Sequence, residues 1–362
     1  MHFALQLSLA LTAAAGALPK PSGPFKVGYS DHIIPHDTPN DPTPGPGNEL
    51  LAHFYYPTND KVQRTVPYFD EVAADLWGGF IGLPDAPSLL NLSTALIGNA
   101  SYLRAPTGRP TILFSPGGGV PAWMYYGLLA DLASYGYAIV AIEHPGEPPS
   151  LRWPNGTQTI GWDLNKAYTS ALDDQIAAYH VSDLNATLSW FSSFVGSTGA
   201  PFSTSQYISL GHSIGGGAAV SFAAVDKRLQ AVVNLDGIFR GNEVVVTDVG
   251  RPVFLMTSVN HTTAADPSWN VFQQHQTGWW QSVSVYGSGH LDYSDITSWN
   301  SALGFSTLVQ TDFGFLGGVR MTQIIQKYVK DFLAFVAGSG KGVLAGPSLE
   351  WREVIYVGGN NH

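Results

Sequence analysis

The sequence predicts an α/β protein with a mostly parallel central sheet and helices on both of its faces. From about residue 111 onwards, short apolar runs alternate with longer helical or small-residue stretches, a pattern typical of parallel strands joined by helices. The chain has 362 residues, of which 44% are hydrophobic, enough to bury one large core. No internal repeat divides it, so we expect a single domain over residues 18–362.

The elements are predicted from local patterns in chain order. Residues 18–48 are rich in Pro, Gly and Asp and indicate an extended segment. Residues 66–104 mix aromatic residues with Gly and Pro and are interpreted as an insertion or lid. Strands are expected at 49–56, 111–114, 137–142, 207–210, 231–235, 253–256 and 282–286, and helices at about 123–135, 170–194 and 319–337.

A possible nucleophile lies near the middle of the chain. The segment Gly211-His212-Ser213-Ile214-Gly215 follows an apolar run and opens into a stretch of small residues. A G-x-S-x-G motif between a strand and a helix is the nucleophile elbow of α/β-hydrolases. Its turn is so sharp that glycines must flank it, and it lifts the serine hydroxyl above the sheet edge. We therefore predict the α/β-hydrolase fold with Ser213 as nucleophile.

A serine hydroxyl is a weak nucleophile and needs a base and an orienting acid. His290, in Gly-Ser-Gly-His after the run at 282–286, is the candidate base, and Asp236, after the run at 231–235, is the candidate acid. Both follow Ser213 in the order that this fold uses. Asp266 is the alternative acid, in the loop after the strand at 253–256. Asp236 is favoured because an acid directly at a strand end is better fixed than one in a loop.

Acyl transfer also requires donors for the oxygen that becomes negative in the tetrahedral intermediate. In this fold, one donor is the backbone N–H of the residue after the nucleophile, here Ile214. The second comes from the loop after an earlier strand, where Gly117-Gly118-Gly119 follows the run at 111–114. We expect the N–H of Gly118 to be that donor. A phosphate-binding loop is disfavoured because the lysine of a P-loop is absent.

The N-terminal residues indicate secretion. Residues 1–17 carry no charged side chain and end in Ala15-Gly16-Ala17, which fits a cleaved signal peptide, and their apolar run is shorter than a membrane span. No later stretch is long and apolar enough to cross a bilayer, so no transmembrane segment is expected in the mature chain. Five Asn-x-Ser/Thr triplets predict N-linked glycans, at Asn91, Asn99, Asn155, Asn185 and Asn260.

Composition narrows the range of partners and cofactors. The net charge is −10 and only 12% of residues are charged, which disfavours nucleic acid and anionic membranes and suits a neutral or zwitterionic substrate. There are no cysteines, and His32 and His36 are separated by Pro35, so no metal or other cofactor is predicted. The aromatic residues around Trp77 and at Trp279-Trp280 are expected in the core or a pocket, with contact to a lipid surface as the alternative.

Several segments together resemble the plasma-type (group VII) platelet-activating factor acetylhydrolase family. The resemblance covers about residues 113–335 and is weak over 66–104 and beyond 338. Its last segment, GVRM at 318–321, looks like the tail of microbial members. The other matching segments are LFSPGGG at 113–119, DLASYGY at 131–137, AIEH at 141–144, GHSIGG at 211–216, LD at 235–236 and GSGH at 287–290.

The resemblance implies a Ca²⁺-independent esterase that removes short or oxidised sn-2 acyl chains from phosphocholine lipids. It implies Ser213 as nucleophile, His290 as base and Asp236 as orienting acid, with oxyanion donors at Gly118 and Ile214.

Three positions depart from the family pattern and concern acyl-chain preference rather than the reaction. Pro116 stands where a histidine is usual, Pro145 where a basic residue is usual, and Gly237-Ile238 replaces a tryptophan region.

Two other functions fit the same motifs. The elbow also resembles those of secreted carboxylesterases of the cutinase, polyester-hydrolase or chlorophyllase-like kinds. A catalytically inactive binding module is the remaining alternative, but such proteins usually lack one member of the triad, and here all three candidates are present. Under either enzymatic function, we expect the substrate to be a small amphiphilic ester or phospholipid, and the protein could contact a lipid surface peripherally.

Overall fold

The computed structural model describes residues 16–61, 65–103, 108–166, 169–240, 246–304 and 312–360. Within them the strands are β1 (Lys26–Pro35), β2 (Glu49–Thr58), β3 (Thr65–Pro67), β4 (Ser93–Gly98), β5 (Thr111–Ser115), β6 (Ala138–Glu143), β7 (Ser150–Arg152), β8 (Gln158–Ile160), β9 (Tyr207–His212), β10 (Leu229–Leu235), β11 (Val253–Ser258), β12 (Trp280–Val285) and β13 (Val354–Gly359). The α-helices are α1 (Glu71–Phe80), α2 (Tyr126–Ser134), α3 (Ser170–Thr198), α4 (Ser213–Val225), α5 (Pro267–His275), α6 (Ile296–Leu303) and α7 (Gly318–Val336).

Eleven of these strands form one sheet in the order β13-β12-β11-β10-β9-β5-β6-β2-β1-β4-β3. The six strands from β12 to β6 are all parallel to one another. The flanking strands β2 and β13 run antiparallel to their neighbours β6 and β12. The predicted mostly parallel sheet is therefore confirmed, and the carboxyl ends of its central strands meet at one edge.

Two apolar cores cover the two faces of the sheet. Alternate residues of a strand point to opposite faces, so Ile112 and Phe114 of β5 join one core and Leu113 joins the other. Helices α2 and α7 pack on the first face, whereas α3, α4 and α5 pack on the second. This arrangement confirms the predicted helices on both faces.

Helix α7 shows how the sequence sets this packing. Met321, Ile324, Ile325, Tyr328 and Val329 recur at helical spacing and are all buried, so one stripe of the helix faces the core. Among the described residues, no helix has both the length and the apolar character required to cross a bilayer.

The first half of the chain contains strands that the sequence analysis missed. The segment at 18–48, expected to be only extended, contains β1, which pairs with β2 along its whole length. Within the predicted insertion at 66–104, β4 pairs with β1 and so widens the sheet. The N–H of Leu18 donates to the carbonyl of Ser93, which ties the start of the predicted mature chain to this segment. A lid function for 66–104 stays a prediction.

Candidate active site

Ser213 lies at the turn where β9 ends and α4 begins. Its φ is +54°, a left-handed conformation that costs energy in a residue with a side chain. A Cβ on Gly211 would overlap the carbonyl of Gly215, and a Cβ on Gly215 would overlap that of Pro116. The two glycines of the motif are therefore required by close backbone approach, and the turn exposes the serine at the sheet edge.

The structure brings Ser213, His290 and Asp236 into one hydrogen-bonded line. His290 Nδ1 lies 2.7 Å from Asp236 Oδ2, and His290 Nε2 lies 2.9 Å from Ser213 Oγ. Because an ionised carboxylate can only accept, Nδ1 must carry the proton. Nε2 is then free to accept a hydrogen bond from the serine hydroxyl, which is the arrangement that a general base needs.

Asp236 is held by a tight turn after β10. Its φ is +54°, and the side chain of Asn234 closes the turn by donating to the Gly237 carbonyl and accepting from its N–H. Asp236 is 1% exposed. Burial alone would raise its pKa, but hydrogen bonds from His261 and His290 outweigh burial and hold the pKa well below its usual value. The carboxylate is therefore ionised and fixed in direction.

Asp266, the alternative acid, hydrogen-bonds to a different histidine, His261. Its Oδ2 lies 2.8 Å from His261 Nε2, and its Oδ1 accepts from the N–H of Ser268 at the start of α5. The other ring nitrogen of His261, Nδ1, lies 3.0 Å from Asp236 Oδ1. Asp236 thus accepts hydrogen bonds from two histidines, one at each carboxylate oxygen. His261 was not identified from the sequence.

Gly118 and Ile214 line the same cavity as Ser213, with a volume of about 480 Å³. The N–H of Gly117 donates to the Tyr125 hydroxyl, and the backbone of Gly119 faces the Glu147 carboxylate. In the described part of the chain, the Gly118 N–H has no hydrogen-bond partner. Ile214 lies in the first turn of α4, where N–H groups lack acceptors within the helix. Both residues therefore line the cavity, and neither N–H has a hydrogen-bond partner among the described residues.

Tyr125 and His212 connect the glycine loop to the loop that carries His290. The Tyr125 hydroxyl lies 2.8 Å from His212 Nδ1, and His212 Nε2 donates to the carbonyl of His290 over 3.0 Å. Burial, followed by the nearby His290, lowers the pKa of His212 to about 3. His212 is therefore neutral, and its two nitrogens play different roles. The sequence contains no local signal for this contact because its members come from three segments that lie far apart in the chain.

A buried cluster lies beneath the glycine loop. Ser115 Oγ is within 3.3 Å of His144 Nε2 and 3.0 Å of His180 Nδ1, and His180 Nε2 lies 2.6 Å from Glu147. Burial lowers the pKa of His180 to about 3 and raises that of Glu147 to about 7. These groups form a continuous hydrogen-bonded network next to the candidate oxyanion donors.

One donor atom from each of His144, Glu147 and His180 lies within 4.8 Å of the others, so these residues could hold a cation. The two imidazole rings, however, are stacked with their centroids 3.5 Å apart and their planes within 10°. A metal bound by imidazole lies near the plane of the ring, and two stacked planes do not meet at one ion. The geometry therefore favours the hydrogen-bonded network over a metal centre.

Another buried histidine, His53, stabilises the chain after the glycine loop. His53 donates to Asp31 at 2.7 Å and to Glu143 at 2.9 Å, and Glu143 also accepts from the N–H of Ala122. Burial lowers the pKa of His53, but hydrogen bonds to both carboxylates outweigh it and raise the pKa to about 10. Glu143 thereby ties the end of β6 both to β2 and to the chain just after the glycine loop.

A smaller cavity of about 170 Å³ shares Gly118 with the catalytic one and is lined mostly by apolar residues, together with Lys166 and Asp312. Trp77 and Phe80 of α1 line it, together with Trp162 and Leu291. Part of the segment at 66–104 therefore borders the site.

The indoles considered for lipid contact are buried. Trp77 is 1% exposed, and Trp279 and Trp280 are each 9% exposed. Trp279 packs against Phe332 and Phe335. Core packing and pocket lining, the favoured interpretation, therefore describe these side chains. All five predicted glycosylation asparagines are exposed.

Comparison with known proteins points to esterases. The chain is 26% identical over 375 residues to a probable 1-alkyl-2-acetylglycerophosphocholine esterase of Arthroderma benhamiae, covering 94% of this chain and 93% of that protein. It is 24% identical over 319 residues to the platelet-activating factor acetylhydrolase of Cavia porcellus, covering 77% and 69%. A solved ferulic acid esterase from Streptomyces cinnamoneus superposes with a TM-score of 0.80 at 23% identity, covering 95% and 100%. No family model matches the chain.

The fold and these relatives define the chain as a serine carboxylic ester hydrolase with the α/β-hydrolase fold. Within that class, it is similar to esterases named for platelet-activating factor and its glycerophosphocholine analogues, which supports the resemblance in its motifs.

Proposed function

We propose that this chain is a secreted, Ca²⁺-independent esterase that hydrolyses short or oxidised sn-2 acyl esters of phosphocholine lipids. The observation that carries the proposal is the hydrogen-bonded line from Ser213 through His290 to Asp236, beside two open backbone donors. The names of the two curated relatives supply the substrate class.

The first half of the reaction acylates Ser213. Its Oγ attacks the carbonyl carbon of the sn-2 ester while His290 Nε2 takes the hydroxyl proton. Asp236 holds the imidazole in the required tautomer and stabilises its protonated form. The oxygen that becomes negative accepts hydrogen bonds from the N–H groups of Gly118 and Ile214. The intermediate then expels the lysophospholipid alkoxide, which takes the proton from His290.

The second half releases the acid. A water molecule gives a proton to His290 Nε2 and attacks the acyl carbon, and the same two N–H groups stabilise the second intermediate. Its collapse returns the proton to Ser213 Oγ and frees the carboxylic acid. No step requires a bound cation, so a chelator should not inhibit the enzyme.

The shape and charge of the site support a small amphiphile. The smaller cavity beside Gly118, lined mostly by apolar residues, has room for a short acyl chain. In the larger cavity, Arg240 pairs with Asp173 at 2.7 Å. A guanidinium beside a carboxylate suits a zwitterion, since one can face a phosphate and the other an ammonium group. The net charge of −10 also disfavours anionic lipids.

The alternative is a secreted carboxylesterase that acts on polyester, chlorophyll-type or aromatic acyl esters. Trp77, Phe80 and Trp162 give the small cavity an aromatic lining, which would also accept a ring. The ferulic acid esterase with the same fold acts on esters of this kind according to its name.

A substrate panel separates these functions. We expect sn-2 acetyl phosphocholine to be cleaved well above its sn-2 palmitoyl analogue, with no effect of EDTA. Rapid cleavage of methyl ferulate or polyester film without cleavage of the acetyl lipid would favour the alternative.

The nucleophile is tested with a fluorophosphonate probe. Ser213→Ala should abolish labelling and lower kcat by several orders of magnitude, whereas Ser221→Ala, in the same helix, serves as the matched control. An adduct found by mass spectrometry on another serine would contradict the assignment, and an unreactive wild-type protein would favour the inactive binding module.

We also propose a mature chain that begins at Leu18 and carries N-linked glycans at the five exposed asparagines. N-terminal sequencing of protein from culture medium, with a mass shift after glycan removal, tests both. A secreted protein that begins at Met1 or shows no shift would contradict the corresponding part. Peripheral contact with lipid surfaces remains part of the proposal and is tested by sedimentation with phosphocholine vesicles, where retention of all protein in the supernatant would argue against it.

A further inference from the structure

We propose that His261, held by Asp266, is a positioning residue that shares the acid Asp236 with the histidine base. This inference rests on the proposed function, because it assigns a role in setting the pH range over which the proposed triad works. It makes His261 a fixed positive charge beside the acid, at the wall of the catalytic cavity, with hydrogen bonds to Asp236 and Asp266.

The hydrogen bonds require His261 to be charged. Nδ1 lies 3.0 Å from Asp236 Oδ1 and Nε2 lies 2.8 Å from Asp266 Oδ2. An ionised carboxylate has no proton to donate, so each ring nitrogen must supply one, and the ring is an imidazolium. Its pKa agrees: burial lowers it, but the hydrogen bonds to Asp236 and Asp266 outweigh burial and raise it to about 9.

The position of His261 is fixed on every side. Asp266 begins α5 and uses its other oxygen to accept from the N–H of Ser268. The indole of Trp269 lies 4.7 Å from the His261 ring, between centroids, and donates to the carbonyl of Gly237 in the Asp236 turn. The His261 side chain is 9% exposed. The loop that carries His261 and the start of α5 are therefore both anchored to the turn that carries Asp236.

The charges around His261 decide the direction of its effect. It faces Asp236 and Asp266 directly, and the Arg240–Asp173 ion pair lines the same cavity. In the triad, the negative Asp236 favours the protonated, inactive form of the base. A cation on the opposite oxygen of Asp236 weakens that effect. Removing the charge on His261 should therefore move the acidic limb of the pH–rate profile to higher pH.

The test measures pH profiles for the wild type, His261→Gln and Asp266→Asn. Gln is neutral and keeps the 260–262 glycosylation triplet, and Asn keeps the capping hydrogen bond to Ser268. Two rates are followed from pH 5 to 10: fluorophosphonate labelling of Ser213 and kcat/KM for p-nitrophenyl butyrate. His275→Gln is the matched control, because His275 is an exposed histidine at the end of α5, the helix that Asp266 begins.

We expect the acidic limb for His261→Gln to move to higher pH by about half to one pH unit, so that rates at pH 6 fall about three- to tenfold. The plateau rate should stay within about threefold of the wild type. Asp266→Asn should move the limb in the same direction by less, and His275→Gln should leave it in place.

The outcomes distinguish this inference from the proposed function. Absence of Ser213 labelling in the wild type would overturn the proposed function. Normal wild-type labelling with superimposable limbs for His261→Gln would overturn the positioning role. A uniform loss of rate at all pH values with a lower Tm would assign His261 a structural role only. If His261→Gln does not fold, the Asp266→Asn profile decides, and an unmoved limb there also overturns the inference.

Discussion

Replacing Asp236 by Asn should abolish catalysis, whereas the same change at Asp266 should not. Asp236 Oδ2 accepts from His290 alone, while Oδ1 accepts from both the Ser258 N–H and His261. An asparagine keeps its oxygen where two donors converge and turns its NH₂ towards His290. The histidine must then accept at Nδ1 and carry its proton on Nε2, where it cannot take one from the serine. We expect kcat to fall about 10,000-fold, or about 5 kcal/mol in the barrier.

Asp266→Asn changes a group that touches only His261 and the start of α5, so kcat at pH 8 should stay within about threefold. The assay is p-nitrophenyl butyrate hydrolysis at pH 8, with fluorophosphonate labelling as a second readout. Because Asn followed by Gly237 can deamidate back to aspartate, the mass of the variant peptide is checked before each measurement. An Asp236→Asn enzyme within tenfold of the wild type, or a larger loss in Asp266→Asn, would refute the reasoning.

Three further predictions concern the turn that carries Ser213, the recognition of the phosphocholine head group and the stability of the fold at alkaline pH. Gly215→Ala pushes a methyl group into the Pro116 carbonyl, so kcat should fall at least about 100-fold with a lower Tm; a fully active variant would contradict the required close approach. Arg240→Gln removes the cation paired with Asp173, so KM for sn-2 acetyl phosphocholine should rise about tenfold while that for p-nitrophenyl butyrate stays within twofold; an equal rise for both would exclude head-group recognition. The pKa of His53 is about 10 in the folded protein and 6.5 when unfolded, so its ion pairs contribute at most about 5 kcal/mol of stability, which is fully present below pH 6.5 and lost as pH rises towards 10. Chemical denaturation should show this loss of unfolding free energy in the wild type and a smaller loss in His53→Gln. The same dependence of unfolding free energy on pH in both proteins would refute the prediction.

The strands of the parallel sheet were predictable because their signals are local. Each is a short apolar run buried on both faces, as in Thr111–Ser115. Apart from the separate pair β7 and β8, the strands missed lie towards the borders of the main sheet, where this signal fails. β1 contains Ser30, Asp31 and His32, whose polar side chains interrupt the apolar pattern, and β13 pairs only with β12 and is largely exposed. Their place in the sheet depends on partners that lie far away in the sequence.

The sequence by itself determined the class of fold, the strained turn at Ser213 and the two residue types that must accompany it, because a tight turn and apolar periodicity depend on neighbouring residues. It left two carboxylates, Asp236 and Asp266, as candidates for the acid. Only the tertiary structure decided which of them reaches His290, a residue 54 positions from Asp236. A hydrogen bond forms only within about 3 Å, and sequence patterns place strand ends and loops far less closely than that. The contact between His261 and Asp236 was likewise visible only in the tertiary structure, because these residues lie 25 positions apart.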